Sequence, residues 1–555
     1  DFMKQIAKLG LEDAVLRFAE SKTGAELKKQ SGSKKLRLTG ISKLDDANDA
    51  GTRSSDKCTL ILTEGDSAKA LAVAGLSVIG RDKYGVFPLK GKPLNVRDCA
   101  TSKVTNNEEI KALTKIMGLQ HQKSYTKEDI KKLRYGSIMI MADQDHDGSH
   151  IKGLIINWIH KFWPSLLQVN GFMKEFITPI IKATHKRQKK ELSFFSIPEY
   201  TNWKDSIGDA LNQWEIKYYK GLGTSTAKEA KEYFNNMAQH QKSFRWEGED
   251  SQAKIVTAFA KDKVDERKKW LAQHKDGTEE LDQTKKNVKY SEFFDREFVL
   301  FSLADCARSI PSMVDGLKPG QRKILFACFK RNLNKEIKVA QLSGYVAEHS
   351  AYHHGEASLA GTIVGMAQNF VGANNINLLV PSGQFGTRLQ GGKDAASARY
   401  IFTKLAKLTR CIFAKEDDEI LDYLNDDGQS IEPSYYVPIL PLALVNGSEG
   451  IGTAWSTFIP NYNPRDIVDN LKRLIKGEEA VDMTPWFKGF EGDTAMLDLN
   501  KWETRGKFER IDDHTIKITE LPVRVWTQSY KEQLEKFIEE KKIEEFRENH
   551  TDITV

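Results

Sequence analysis

Cysteine is scarce in this chain and never clustered. Cys58, Cys99, Cys306, Cys328 and Cys411 are spread over 555 positions, odd in number and nowhere spaced as C-x-x-C. That spacing argues against a disulfide framework and a zinc site, and it points to a reducing intracellular compartment. Long apolar runs are missing too. No stretch approaches the roughly eighteen uncharged apolar residues that a membrane span requires, so none is expected. Nucleotide-binding glycine loops are absent: Gly221-x-Gly223 reaches Thr226, and Gly450-x-Gly452 reaches Trp455, where a third glycine is needed. There are no internal repeats or low-complexity tracts. Without an initiator methionine or a signal-like segment, the chain reads as a piece of something longer.

What is present fits a soluble globular protein of three or four domains, with 40% hydrophobic and 29% charged residues. The net charge of +6 is modest, and its placement is uneven. Residues 291–410 hold 15 Lys plus Arg against 9 Asp plus Glu, and the rest of the chain is balanced. That window is either a seat for a polyanion or a solvated basic face.

Residues 1–55 read as an N-terminal connector with an exposed basic segment. Two apolar runs, 58–62 and 137–142, each end abruptly in acids and then give way to a helical pattern. Two strand-turn-helix units predict an α/β layer with a parallel sheet, placed in a domain spanning 56–290. Its lysine-rich part, 181–290, is expected to be a mainly helical extension. Helical patterns dominate 291–440, and a β-rich, Gly/Pro-rich region ending in a charged helix occupies 441–555.

The run Asp143-Gln144-Asp145-His146-Asp147-Gly148 opens like a calcium-binding loop, but position twelve is Leu154 and a strand precedes it. The acids instead follow a strand's carboxyl end, where open α/β sheets hold ligands. Glu64 ends the other strand. Four carboxylates from two strand ends repel one another unless a hard cation neutralises them, and oxygen-only ligands suit magnesium. The bland alternative is a helix start decorated with acids that favour its dipole.

Arg399-Tyr400 follows a small, flexible run from Gly391 to Ala398. A tyrosine can attack phosphorus if its proton is removed, and an adjacent arginine suits the developing charge, although most tyrosines are simply packed aromatics. His353-His354-Gly355 lacks a third zinc ligand, so proton transfer or phosphate contact suits it better, with a buried structural histidine as the alternative. Ile451, flanked by Gly450 and Gly452, is poorly placed for a core and could wedge between base pairs.

Six motifs in order, Glu64-Gly65-Asp66-Ser67-Ala68, Pro88-Leu89-Lys90-Gly91-Lys92, the acidic run, Lys220-Gly221-Leu222-Gly223-Thr224-Ser225, Asp315-Gly316-Leu317-Lys318-Pro319 and Ala398-Arg399-Tyr400, resemble the eukaryotic type II DNA topoisomerases. The resemblance runs from about residue 56 to the end. It implies a multidomain α/β plus α+β protein: a TOPRIM domain with a Rossmann-like parallel sheet, a winged-helix domain carrying the nucleophile, and the start of a β-rich tower domain. It implies an isomerase that makes transient double-strand breaks through 5′-phosphotyrosyl links at Tyr400, with Arg399, Arg308, Lys318 and His354 around the scissile phosphate.

By the same resemblance, Glu64, Asp143 and Asp145 would bind Mg2+, with Asp147 near a second ion and Mn2+ or Ca2+ able to substitute for binding. Ile451 would be the wedge, and Lys90, Lys92, Asn95, His353, Arg322 and Lys323 would contact duplex DNA. A nuclear homodimer is implied, free of membrane, in which each tyrosine meets the partner's metal site. ATP would act only through an N-terminal ATPase domain that these residues do not include. A TOPRIM-type nuclease or primase, and a non-catalytic DNA-binding scaffold, are the competing readings.

Overall fold

The computed structural model describes residues 22–219, 221–275, 281–426 and 428–555. The first 21 residues of the expected connector, and Lys220, lie outside them. The chain forms two compact units, 1–304 and 305–555.

In the first unit, β1 (Thr59–Glu64) pairs in parallel with β2 (Tyr84–Leu89) and β3 (Ser137–Met141), and β3 pairs in parallel with β4 (Met173–Phe176). Both faces of these strands are covered. Leu60, Leu62, Ile138 and Ile140 enter one core, whereas Ile61, Met139 and Met141 enter another on the opposite side. Continuous apolar runs are what a parallel sheet buried on both faces demands, so the expected α/β layer is present. Helix Gly65–Ile79 covers one face and packs so closely on Phe234 that a Cβ at Gly75 would lie 2.2 Å from its ring. Helix His146–Phe162 lies within the other core, with Ile151, Ile155, Trp158 and Ile159 fully enclosed.

Residues 181–290 are helical over most of their described length, as expected, with helices such as Ile197–Ile207, Glu249–Phe259 and Val264–Gln273, but they also carry strands that were not expected. β5 (Ile181–His185), β6 (Glu191–Phe194) and β7 (Trp214–Tyr218) form an antiparallel sheet in the order β6-β5-β7. β8 (Gln241–Arg245) and β9 (Asn287–Lys289) extend the main sheet beyond β4. The alternation of Ile181 and Ala183 with lysine and threonine suits a strand. Its lysine at 182 is itself buried, reaching Glu191 at 2.7 Å and Glu232 at 3.4 Å.

In the second unit, helices Pro319–Lys330, Val339–Ser350 and Glu356–Ala367 enclose Ile324, Leu325, Leu342, Val346, Leu359 and Ile363. Short antiparallel strands β10 (Ile337–Lys338) and β11 (Phe402–Thr403) join this bundle. β12 (Tyr423–Asp426) and β13 (Gln429–Pro433) form a hairpin. Three more follow: β14 (Ser448–Ile451) with β15 (Ser456–Ile459), β16 (Asp493–Asp498) with β17 (Lys501–Arg505), and β18 (Lys507–Arg510) with β19 (Ile516–Glu520). The β-rich character beyond residue 441 is therefore present, and the charged helix is Thr527–Glu539. All five cysteines are unpaired, and among the described residues no helix is long and apolar enough to cross a membrane.

Candidate functional site

The acids stand where the sheet topology puts them. Glu64 closes β1, Asp143 follows β3 by two residues, and Asp145 is the N-cap of helix His146–Phe162, its Oδ1 accepting from the Gly148 amide at 2.7 Å. Glu64 Oε2 accepts from the Asp143 amide at 3.1 Å, which ties the two strand ends together. Burial pushes the Glu64 carboxyl up to about 7, and the charges of Asp143, Asp145 and Asp147 add to that rise. Asp143 is raised as well, by burial and by Asp145. At both groups burial is the larger cause and repulsion between the neighbouring carboxylates the smaller.

Two neighbours answer that charge in part. The Leu222 amide donates to Asp143 Oδ1 at 2.7 Å, and a Cβ at Gly221 would sit 2.6 Å from Asp143 Oδ2. The Gly221-Leu222 turn, which sequence reasoning left without a role, is therefore a backbone contact to the acidic run. Its glycines were the available signal, since only a residue without a side chain permits that approach. Lys92 donates to Asp147 Oδ1 at 2.8 Å.

With their oxygens turned to amides and to Lys92, no three carboxylates, histidines or cysteines form a ready coordination shell among the described residues. What the strand ends bring together is a set of hard oxygen donors, Glu64, Asp143 and Asp145. That set fits a divalent cation such as magnesium, which Glu64, Asp143 and Asp145 would hold.

Tyr400 is 73% exposed, which removes the packed-aromatic alternative. Its neighbours are pinned. Ile401 is buried and its carbonyl accepts from the Val339 amide at 3.0 Å, while Phe402 exchanges both backbone hydrogen bonds with Ser382. The Ala398 carbonyl accepts from Ala340, and the Tyr400 amide donates to Ser397 at 2.9 Å. A buried residue on one side and a paired backbone on both hold the turn while Arg399 and Tyr400 project outward.

His353 and His354 occupy the exposed turn between helices Val339–Ser350 and Glu356–Ala367, where Ala351 and Gly355 take positive φ angles of 49° and 90°. His353 Nε2 lies 3.7 Å from Asp426, and His354 meets the Tyr352 ring edge-on. Neither is the enclosed structural histidine. Lys318 precedes helix Pro319–Lys330, and its amide donates to Gln321 Oε1 at 2.9 Å.

Arg308 and Ile451, far apart in sequence, are brought together. Arg308 sits in the last turn of helix Val299–Ser309, 3.4 Å from Asp305 Oδ1, and Thr453 donates to Asp305 Oδ2 at 2.9 Å. Cβ atoms at Gly450 and Gly452 would lie 2.1 Å from the Ser309 carbonyl and 3.0 Å from Cys306. The glycines around Ile451 thus seat its hairpin against the Arg308 turn and leave the isoleucine 79% exposed.

Some expected DNA contacts are committed elsewhere. Arg322 is 6% exposed, and its guanidinium donates to Asp315 at 2.7 and 3.1 Å and to the Leu317 carbonyl at 3.1 Å. Seven positions after Asp315, it reaches back across the start of its helix to neutralise an acid that is cut off from water. Lys323 donates to Glu432 at 2.9 Å and to the Ser350 carbonyl at shorter range, so it too is an internal tie. Asn95 bonds Asn157 and the Phe259 carbonyl. Lys90 and Lys92 remain exposed.

Three known families match consecutive stretches. Residues 59–178 match the Toprim domain, 176–306 the C-terminal associated domain of TOPRIM, and 308–555 the A-type chain of DNA gyrase/topoisomerase IV. The chain is 58% identical over 535 residues to a DNA topoisomerase 2 of Arabidopsis thaliana, covering 96% of this chain and 36% of that protein. It is 53% identical over 573 residues to DNA topoisomerase 2-alpha of Mus musculus, covering 100% of this chain and 37% of the relative. It therefore spans little more than a third of those relatives. A crystal structure of the Plasmodium falciparum topoisomerase II DNA-binding, cleavage and re-ligation domain superposes with a TM-score of 0.76 at 54% identity, covering 94% of this chain and 71% of that one. With the acids at the ends of parallel strands and the projecting tyrosine in the units these families describe, the chain belongs to the type II DNA topoisomerase family.

Proposed function

We propose that this chain is the DNA cleavage and religation core of a type II topoisomerase. The observation that carries the reading is Tyr400, held on a pinned turn with its phenol in solvent. The Tyr400 oxygen attacks a backbone phosphorus. As that bond forms, the bond to the 3′ oxygen breaks, the phenol proton is lost, and the released 3′ hydroxyl takes up a proton. The product is a 5′-phosphotyrosyl link that stores the phosphodiester for resealing by the reverse step. Arg399 lies beside the nucleophile, and Arg308 and Lys318 supply further positive charge to the strained phosphate, with His354 as a proton carrier. Glu64, Asp143 and Asp145 would hold magnesium, which would supply Lewis-acid polarisation of phosphate oxygens and charge stabilisation of the leaving oxygen. Lys90, Lys92 and His353 lie along the duplex, and Ile451 enters the base stack.

In this reading two copies act on the two strands, each tyrosine with the acids of the other copy, and the setting is the nucleus. ATP-driven strand passage belongs to the full-length enzyme. To test the reading, end-labelled duplex is mixed with the protein and Mg2+ and denatured without resealing. Label should migrate with the protein, and Tyr400→Phe should abolish it. A Tyr400→Phe variant that still cuts would favour hydrolysis by the acids alone.

A further inference from the structure

The helix His146–Phe162, which begins at the acidic run, is gripped by a carboxylate from outside it. Glu297 lies in the π-helical turn Phe294–Phe298. Such turns redirect side chains and are frequent at functional sites. Its Oε1 accepts from Ser149 Oγ at 2.7 Å and from the Lys152 ammonium at shorter range. Lys152 also donates to Glu175 Oε2 on β4 at 3.0 Å.

Lys152 is 3% exposed and Glu175 1%. Burial works against the ammonium, but the two carboxylates outweigh it and hold the Lys152 pKa above the usual lysine value. The Ser149 hydroxyl has one proton and two acceptors, Glu297 at 2.7 Å and the Asp145 carbonyl at 3.1 Å. The nearer, charged oxygen is the stronger acceptor. Ser149 and Lys152 are one helical turn apart on the same face, so Glu297 holds two points of the segment that starts at Asp145.

We infer that Glu297 is a positioning residue for the metal-binding acids. It acts through Ser149 and Lys152, setting the rotation and depth of the helix from which Asp145 and Asp147 project. Glu175 shares Lys152 but not Ser149, so it stabilises the helix without steering its first turn. Partners behind metal ligands commonly change affinity by about 10- to 100-fold when removed. The inference rests on the metal reading above.

The test is direct Mn2+ binding to the purified chain, followed by electron paramagnetic resonance, alongside thermal melting. Glu297→Gln should raise the half-saturating Mn2+ concentration by about tenfold, at the lower end for such partners. Ser149→Ala, a milder change that keeps the buried charges, should shift it in the same direction. Glu175→Gln should lower the melting temperature while leaving half-saturation unchanged. Unchanged half-saturation in Glu297→Gln and Ser149→Ala overturns the inference, as does an equal shift in Glu175→Gln, which would mark general loosening. A wild-type chain with no saturable Mn2+ binding would instead overturn the metal reading itself.

Discussion

Arg322→Met separates a structural strut from a DNA contact. Asp315 is fully buried, and besides Arg322 it accepts from the Leu317 amide at 2.9 Å and the Tyr436 amide at 3.0 Å. Methionine roughly fills the volume but removes the cation paired with that charge. Breaking a buried ion pair costs about 3–5 kcal/mol, and the two remaining amide donors place this one near 3 kcal/mol. For a unit of this size that corresponds to a fall in melting temperature of about 6–12 °C. The assay pairs thermal and urea unfolding of the full chain with duplex affinity measured across a salt series.

If Arg322 is internal, the slope of log affinity against log salt is unchanged where the variant is folded. A phosphate contact would reduce that slope by about 0.9. Stability within about 1 kcal/mol of wild type, together with a reduced slope, would refute the burial argument.

Two further expectations concern acid stability and DNA shape. His160 is pushed down to about 4 by burial and by Arg97, whose Nη2 faces His160 Nδ1 at 2.6 Å. Its folded pKa lies below the usual 6.5, so between those values the unfolded chain binds a proton that the folded chain refuses. Stability therefore falls as pH drops through that window, by about 2 kcal/mol after allowing for solvent screening. Urea midpoints at pH 7 and pH 4.5 should show the loss, and His160→Gln should reduce it by that amount while the part due to the similarly buried His121 remains; an equal loss in the variant would refute the assignment. Ile451→Ala should leave the melting temperature within about 1 °C, because the side chain is exposed. It should also reduce duplex bending read by end-to-end energy transfer, and unchanged bending would remove the wedge from the proposed function.

The acidic cradle was legible because its signal is local. An apolar run followed at once by acids states both the strand and its carboxyl end, and β1 and β3 each carry that pattern. Glycines marked the Tyr400 and Ile451 segments for the same reason. Lys323 was not legible as a tie because Glu432 stands 109 residues away, whereas Arg322 pairs with Asp315 only seven residues back but nothing local says that Asp315 is buried, where the Tyr436 amide joins it from 121 residues away. Nor was the β5 to β7 sheet. Its strands are short and lysine-rich, and lysine favours helices as readily as it decorates strands, until Lys182 is seen to cross to acids on two other elements. The donors that turn Asp143 and Asp147 from a possible coordination shell are likewise long-range, at Leu222 and Lys92.

The enclosure of helix His146–Phe162 has a consequence in time. Apart from His150, its residues from Gly148 to His160 are buried, so the helix lacks a solvent face from which to fray. Its amide protons can reach water only when the surrounding unit opens as a whole, which sets their deuterium exchange at the slow extreme. Asp145 and Asp147 at its beginning are thereby joined to the slowest-opening part of their unit, whereas the turn carrying Tyr400 stands at the surface.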